Sequence, residues 1–418
     1  MKKVLTVSFF TGLLTLFRMA AGFAIGKVVA VAAGPGGLAI LGQLQGVISI
    51  LTGIINSPVG PGIVKYTSEN SSEKNENYSL WWRSGVIWLL SLCLVTIPVI
   101  CLLSSEISEY LFSDKKYGVY VIVIALLLPL GGVGTFFISI LNGFQFFRKY
   151  IIINFISITI STIVMIVLTL NYGIEGALLA ASMQAGLIGV VIITSIIKQP
   201  WFRLKFFFGK ISKTHFLEIR NYVLMALVIA FALPVALVFI RKMMVVYCGW
   251  QETGEWQAVW KISEAYLSII TLALATYYLP MIARIKDAAE LNREIKSNLK
   301  ILFPLAVLMA IIIYFMKDFI IYILFTPDFE DARRFFLVQL IGDVIKVVAW
   351  IYSYILLAKG LTKIFITVEL SFAFAFAVLS FFGIKLYGIE GANYAYTLTY
   401  ILYLFVVYKC AQKYVLNK

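Results

Sequence analysis

Apolar stretches about 20 residues long recur along nearly the whole chain, separated by short polar breaks. A helix of that length satisfies its own backbone groups and crosses a hydrocarbon layer, so the pattern specifies a bundle of membrane-spanning helices. The spans read as 5–32, 38–64, 81–103, 118–141, 150–170, 176–197, 221–248, 256–282, 299–325, 334–358, 363–385 and 389–409, twelve in all. Charged residues make up 13% of the chain and hydrophobic ones 61%, where a soluble domain is about 25% charged. Mean hydropathy is +0.94. The start, Lys2 and Lys3 before an apolar run, imitates a signal peptide, but the run continues past Arg18 to Ala33 and reads as a first span.

With both termini in the cytoplasm, only five of the 35 basic residues fall in outer loops: Lys115, Lys116, Arg333, Arg334 and Lys385. That asymmetry is the orientation signal of a multi-pass inner-membrane protein. The net charge of +14 is therefore mostly topology, with attraction to anionic membrane lipid as a second effect and no call for nucleic acid. Cys93, Cys101, Cys248 and Cys410 are scattered, with no CxxC pair, and the single histidine, His215, lies in a polar connector. Neither a metal centre nor a Ser/His/Asp triad can be assembled from these residues inside the membrane, and no cofactor is expected.

The chain contains an internal repeat. YGIEGA occurs at 172–177 and again at 387–392, an offset of 215 residues. At the same offset Lys27 and Gly34 match Lys242 and Gly249, and Arg148 matches Lys363. Near the ends of the second and eighth spans the offset drifts to 219, where Pro61 and Lys65 face Pro280 and Arg284. Two copies of six spans share one orientation and predict an all-α protein of two pseudo-symmetric six-helix lobes, 1–198 and 221–418, joined by a surface connector at 199–220. The alternative is a rigid bundle of duplicated helices.

Six bases lie inside the spans: Arg18, Lys27, Arg241, Lys242, Lys261 and Lys346. Facing lipid, each would cost about 2.5 to 3.5 kcal/mol. Lys27 and Lys242, near helix ends, can snorkel, whereas the others should face protein or a wet cavity. On the span 256–282, Gln257, Lys261, Glu264, Ser268 and Thr271 share an arc of about 80°. On 334–358, Gln339, Asp343, Lys346, Trp350 and Tyr354 do the same within about 80°. Two interpretations of these seams stay open: a ligand-binding lumen, or Lys261–Glu264 and Asp343–Lys346 ion pairs that lock helices together. Gly22 and Gly26 form a GxxxG step beside Arg18, expected to seat a neighbouring helix. Glu369 stands alone on its span, either a packed acid or a proton site. Against the acids Glu264, Asp343 and Glu369, the six bases leave a formal balance of +3, which favours an anion. A diphosphate suits Arg and Lys, and Trp256, Trp260, Trp350 and Tyr354 are candidates to stack on sugar rings. Pro58, Gly60 and Pro61, with Pro280 in the second copy, predict breaks or hinges.

The stretches GKVVAVAAGPGGLA (26–39), GIVKY (62–66), WQAVWKISEAYL (256–267), YYLPMIARI (277–285) and QLIGDVIKV (339–347) followed by AKG (358–360) resemble the Wzx polysaccharide flippases. These belong to the multidrug/oligosaccharidyl-lipid/polysaccharide exporter superfamily, and the likeness is to their O-antigen and enterobacterial common antigen members. The resemblance runs nearly end to end. It implies alternating-access transfer of undecaprenyl-diphosphate-linked repeat units from the cytoplasmic to the periplasmic leaflet, with proton or sodium coupling and contact with a polysaccharide polymerase and a chain-length regulator. Carried over by position, Lys27, Lys65, Arg241, Lys261, Glu264, Arg284, Asp343 and Lys346 match the family's charged pattern, with Arg18 and Glu369 beside them. Two rivals are a multidrug or cation antiporter of the same superfamily, which should offer an acidic or apolar cavity, and a membrane polysaccharide polymerase. The second would need a longer outer loop than 103–117. No GxxxxGK[ST] loop is present, which disfavours direct ATP drive.

Overall fold

The computed structural model describes residues 2–70, 78–199, 201–209 and 213–413, and these are helical almost throughout. The helices are α1 (Lys2–Asn56), α2 (Pro61–Asn70), α3 (Tyr78–Leu102), α4 (Ser104–Phe112), α5 (Gly118–Gly143), α6 (Phe147–Ile196), α7 (Lys213–Ala273), α8 (Leu279–Arg284), α9 (Ala288–Leu324), α10 (Phe336–Ala358), α11 (Thr362–Tyr387) and α12 (Glu390–Ala411). Three are too long for one crossing: at 55 residues, α1 would run about 80 Å if straight, against a hydrocarbon core of about 30 Å. Each is broken at one glycine, α1 at Gly34, α6 at Gly173 and α7 at Gly249. Eight helical stretches are long and apolar enough to cross a membrane. Three of them are double, and α12 completes the twelve passes read from the sequence. The loop 103–117 holds a short helix, α4, that hydropathy alone did not reveal.

The three break points and the α11–α12 turn share one backbone conformation. Gly34 (φ 61°, ψ −165°), Gly173 (φ 59°, ψ −138°), Gly249 (φ 83°, ψ 173°) and Gly388 (φ 62°, ψ −149°) occupy a region essentially closed to residues with a Cβ. Gly34 pairs with Gly249 and Gly173 with Gly388 at the repeat offset of 215. The repeated YGIEGA is thus a helical-hairpin motif with two demands for glycine. Its first glycine turns the chain. Its second packs on backbone: a methyl group on Gly176 would lie 1.9 Å from the Leu168 carbonyl oxygen, and one on Gly391 would lie 1.9 Å from that of Gly383.

The chain divides into two compact units, Met1–Ile25 with Gln43–Val235, and Gly26–Gly42 with Ala236–Lys418. In the first unit α5 packs closely on α6 through glycines, where a methyl on Gly134 would come 2.8 Å from the Gly189 Cα. The expected surface connector is partly internal here. Phe206 and Phe207 are buried, and Trp82 stacks on Phe207 at 5.4 Å while donating its indole N–H to Thr67 Oγ1 at 2.9 Å. Its apolar residues lack periodicity because a ring cluster, and not a helix face, takes them in. Pro200 and residues 210–212 lie outside the described residues. Helix α7 begins at Lys213, and the first unit takes it in as far as Val235, beyond the boundary at 220 expected from the sequence.

The expected helix breaks occur in both copies, by different means. In the first, α1 ends at Asn56, a 3-10 turn spans Ser57–Val59 with Pro58 in it, and α2 starts at Pro61 after Gly60. In the second, the five residues Leu274–Tyr278 form a π-helix just before Pro280, which sits in the first turn of α8. Proline cannot donate to the preceding turn, so the ladder shifts there. The GxxxG expectation is corrected. A methyl on Gly22 would meet none of the described residues within 4 Å, and one on Gly26 would make only ordinary contacts with Phe325 and Lys261, so neither glycine makes the close backbone approach the motif permits.

Gly173→Ala and Gly388→Ala should each lower stability by about 1 to 3 kcal/mol, the range for a side chain forced into this backbone region. Gly391→Ala, whose backbone is ordinary helix, should also destabilise, here through the clash of its methyl group with the Gly383 carbonyl. Thermal unfolding of the detergent-solubilised protein measures both.

Candidate functional site

The charged residues inside the second unit form one connected arrangement, built on α7, α10, α11 and α12. Asp343 on α10 is fully buried and is its hub. Its Oδ2 accepts from Ser263 Oγ at 2.6 Å and from the Tyr266 hydroxyl at 2.7 Å, both on α7. Its Oδ1 accepts from the Tyr396 hydroxyl of α12 at 2.7 Å and, more weakly, from Gln339 Nε2 at 3.3 Å. Four neutral donors therefore hold a charge that apolar surroundings would otherwise expel.

Lys346, one turn along α10, has a different environment. Its ammonium lies 5.0 to 5.7 Å from the ring centroids of Tyr400, Trp350, Tyr396 and Trp260. Ring quadrupoles attract the cation without cancelling its charge. The other two acids are also occupied by neutral donors: Trp260 donates its indole N–H to Glu264 Oε1 at 2.7 Å, and Tyr403 donates to Glu369 while sharing a 2.9 Å hydrogen bond with Ser353. Among the described residues no ion pair joins Asp343 to Lys346 or Lys261 to Glu264.

Arg241 is buried and donates from Nε to Gln257 Oε1 at 2.8 Å. Lys261 lies close to α1, its Nζ 4.0 Å from where a Cβ on Gly26 would sit. Trp260 ties the two regions together, with its N–H on Glu264 and its ring against Lys346, Trp256 and Tyr396. Ser268 and Thr271, on the seam of α7, donate their hydroxyls to the Ala265 and Leu267 carbonyls of their own helix.

Other candidates lie elsewhere. Lys27 donates to the Tyr322 carbonyl at 3.2 Å and to that of Phe325, so it caps the C-terminal end of α9. Trp256 is 1% exposed, with its N–H on Asn393 Oδ1 at 2.7 Å, and Gln339 is buried beside Asp343, so both are packed into the framework around the acid. Tyr354 is half-buried beyond Trp350, and Lys242 is buried. Arg18 and Lys65 belong to the first unit and are exposed, Lys65 lying 5.2 Å from the Tyr66 ring centroid. Arg284 is exposed at the end of α8, whose terminal carbonyls accept instead from Lys359. A recess between α9 and α10, lined by Val307, Ile311, Leu337 and Ile341, is apolar and contains none of the charged residues.

Sequence reading missed the tyrosines that organise the site. Tyr396, Tyr400 and Tyr403 recur at i, i+4 and i+7, the period of one helix face, and that spacing was the available signal. Ser263 and Tyr266 lie off the arc of Gln257, Lys261 and Glu264, which is why a single-seam reading passed over them.

The family described as polysaccharide biosynthesis protein matches residues 4–286. A protein named lipid III flippase from Escherichia coli (strain K12) is 28% identical over 400 residues, covering 95% of each chain, and one of the same name from Shigella flexneri matches equally. Among solved structures, an inward-facing multidrug resistance MATE family transporter of the MOP superfamily superposes with a TM-score of 0.76 at 13% identity, covering 96% of this chain and 97% of that one. The lipid II flippase MurJ in its inward closed conformation gives a TM-score of 0.68 at 16% identity, covering 99% and 88%. At these identities the structural likeness establishes a shared fold.

Tyr396→Phe removes one of the four donors to Asp343 and should lower stability by about 1.5 to 3 kcal/mol, the range for a hydrogen bond to a charged group. Asp343→Leu, which strands several donors at once, should lower it further in the same unfolding assay.

Proposed function

The chain belongs to the polysaccharide biosynthesis protein family, and from that premise we propose that it is a flippase for polyprenyl-diphosphate-linked oligosaccharides in a bacterial inner membrane. Both termini are cytoplasmic in this reading, and transfer runs from the inner to the outer leaflet. One observation carries it. Among the described residues, Arg241, Lys261 and Lys346 lie within one unit and none is in an ion pair with a carboxylate, while Glu264, Asp343 and Glu369 are each engaged by neutral donors. The bases are left available for an anion.

A diphosphate is an appropriate partner. Its oxygens accept charge-assisted hydrogen bonds from guanidinium and ammonium groups, and Gln257 holds the Arg241 fork in one orientation. Trp350 and Tyr354, both half-buried, supply ring faces for sugars beside Lys346. The polyprenyl tail stays in lipid, because only the head group carries the charge and hydroxyls that hydrocarbon would leave unsolvated. A multidrug or cation antiporter shares the fold, but a cationic substrate would meet three bases that, among the described residues, form no ion pair with a carboxylate. Coupling to a proton or sodium gradient falls to Glu369, which is half-buried and receives a hydroxyl from Tyr403, whereas Asp343 is closed in by four donors.

The test is transfer of a labelled polyprenyl-diphosphate oligosaccharide across proteoliposome membranes, under imposed proton or sodium gradients. Lys346→Ala and Arg241→Ala should each reduce transfer by about tenfold or more, the factor that corresponds to losing one charge-assisted contact, with folding retained. Arg18→Ala, in the other unit, asks whether its exposed base also meets the substrate. No transfer by the wild type of any authentic glycan would remove the flippase assignment; undiminished transfer by both substituted proteins of the second unit would remove the site.

A further inference from the structure

Between Lys115 and Leu217 the chain has one acid, Glu175, in the first YGIEGA hairpin. The same stretch carries the bases Arg148, Lys149, Lys198, Arg203 and Lys205, all exposed and all in the first unit. Helix α6 turns at Gly173, and contacts between its two ends bring these bases together. Lys149 donates to Gln199 Oε1, and the Phe144 ring lies 5.9 Å from that of Trp201. The five therefore belong to one surface, built from residues 144–149, 197–199 and 201–208. Among the described residues Arg148, Lys149, Lys198 and Arg203 form no ion pair with a carboxylate.

That surface is apolar as well as basic. Residues 203–208 wind into a short turn, in which Phe206 donates its N–H to the Arg203 carbonyl and Phe208 donates to that of Leu204. Phe206 and Phe207 point inward and are buried. Leu204 and Phe208, one turn apart, point outward at 65% and 61% exposed, and Lys205 is exposed beside Leu204. The turn is fixed from beneath: Arg83 donates to the Lys205 carbonyl at 2.8 Å, and the Phe202 ring lies 5.7 Å from that of Phe137. Apolar and basic side chains held outward together suit the headgroup layer of a bilayer. A loop backbone suits it too, since hydrocarbon would leave its polar groups unsatisfied.

We propose that this surface is a binding site for an anionic phospholipid of the inner leaflet. The phosphodiester accepts from Arg203 and the bases around it, while Leu204 and Phe208 enter the acyl boundary. A zwitterionic lipid brings its own cation toward the same bases, so the site selects by net charge. Bound lipid pins the connector to the membrane surface just before α7 begins. The proposal takes from the flippase reading only the leaflet that the site faces, and its test involves no transport.

Native mass spectrometry of the delipidated full-length protein, titrated with phosphatidylglycerol or with phosphatidylcholine of the same chains, counts the bound lipid. The wild type should bind phosphatidylglycerol more tightly. Arg203→Gln with Lys205→Gln should weaken that binding about 25-fold at low salt, from about fivefold per base near an anionic group, and leave phosphatidylcholine unchanged. Arg203→Lys with Lys205→Arg should keep the preference. Arg293→Gln with Lys296→Gln, which removes two exposed bases of α9, should also keep it; an equal loss there makes the effect diffuse charge and overturns the site. Equal affinity of the wild type for the two lipids overturns it as well. Soluble glycerol phosphate should not compete, because it lacks the chains that Leu204 and Phe208 meet, and displacement by it would mean a free-anion site instead. In a bilayer, a nitrobenzoxadiazole label on Leu204→Cys, with Cys93, Cys101, Cys248 and Cys410 replaced, should shift its emission to the blue when phosphatidylglycerol is added to phosphatidylcholine vesicles. An unchanged emission overturns the insertion of the turn.

Discussion

A carboxylate buried in a membrane protein must be held by something, and what holds Asp343 determines the character of the surrounding helices. Had Lys346 neutralised it, the pair would be a structural pin with little left to offer a ligand. Ser263, Tyr266 and Tyr396 hold it instead. These hydroxyls come from α7 and α12, so the same bonds that satisfy the acid fasten three helices together. The lysine is left among rings that stabilise its charge while preserving it. Glu264 and Glu369 repeat the logic with an indole N–H and a tyrosine hydroxyl. Excess positive charge inside the unit follows from which donors the acids meet.

Much of this fold was legible in the sequence because lipid imposes a simple rule on length. Twelve apolar stretches gave twelve passes, and the repeat located the hairpin glycines before any geometry was known. Function was legible in part. The charges of α10 lie on one helix, where a period of 3.6 exposes them, and Asp343 and Lys346 do meet the same set of neighbours. Their relation was hidden, since Tyr266 is 77 residues from Asp343 in sequence and reaches it only through tertiary packing. Lys27 shows the opposite limit. Its position at the end of a span was readable, but the carbonyls that receive it belong to a helix almost 300 residues later.

The connector carries both exposed and packed residues, with Arg203, Leu204, Lys205 and Phe208 exposed. Its bases and lack of periodicity suggested a segment lying on the surface, yet Phe206 and Phe207 are buried against Trp82. Aromatic residues packed as a cluster need no repeat in sequence, because each ring finds its own neighbours. Trp88 stacks on Phe216 at the start of α7, within the first unit, and α7 then continues past Gly249 to the residues that hold Asp343.

The π-helix Leu274–Tyr278 carries a record of the duplication. Between Gly34 and Pro61 in the first copy, and Gly249 and Pro280 in the second, the offset grows from 215 to 219. The later copy therefore holds four extra residues between its hairpin glycine and its proline. Four residues exceed one α-turn by about 0.4 of a residue, and a widened turn takes up such an excess without expelling a loop into lipid. The earlier copy met the same stretch with a 3-10 turn and a break. An ancestral helix has thus drifted to tighter winding in one descendant and looser winding in the other, so two halves of common origin now bend by unequal means.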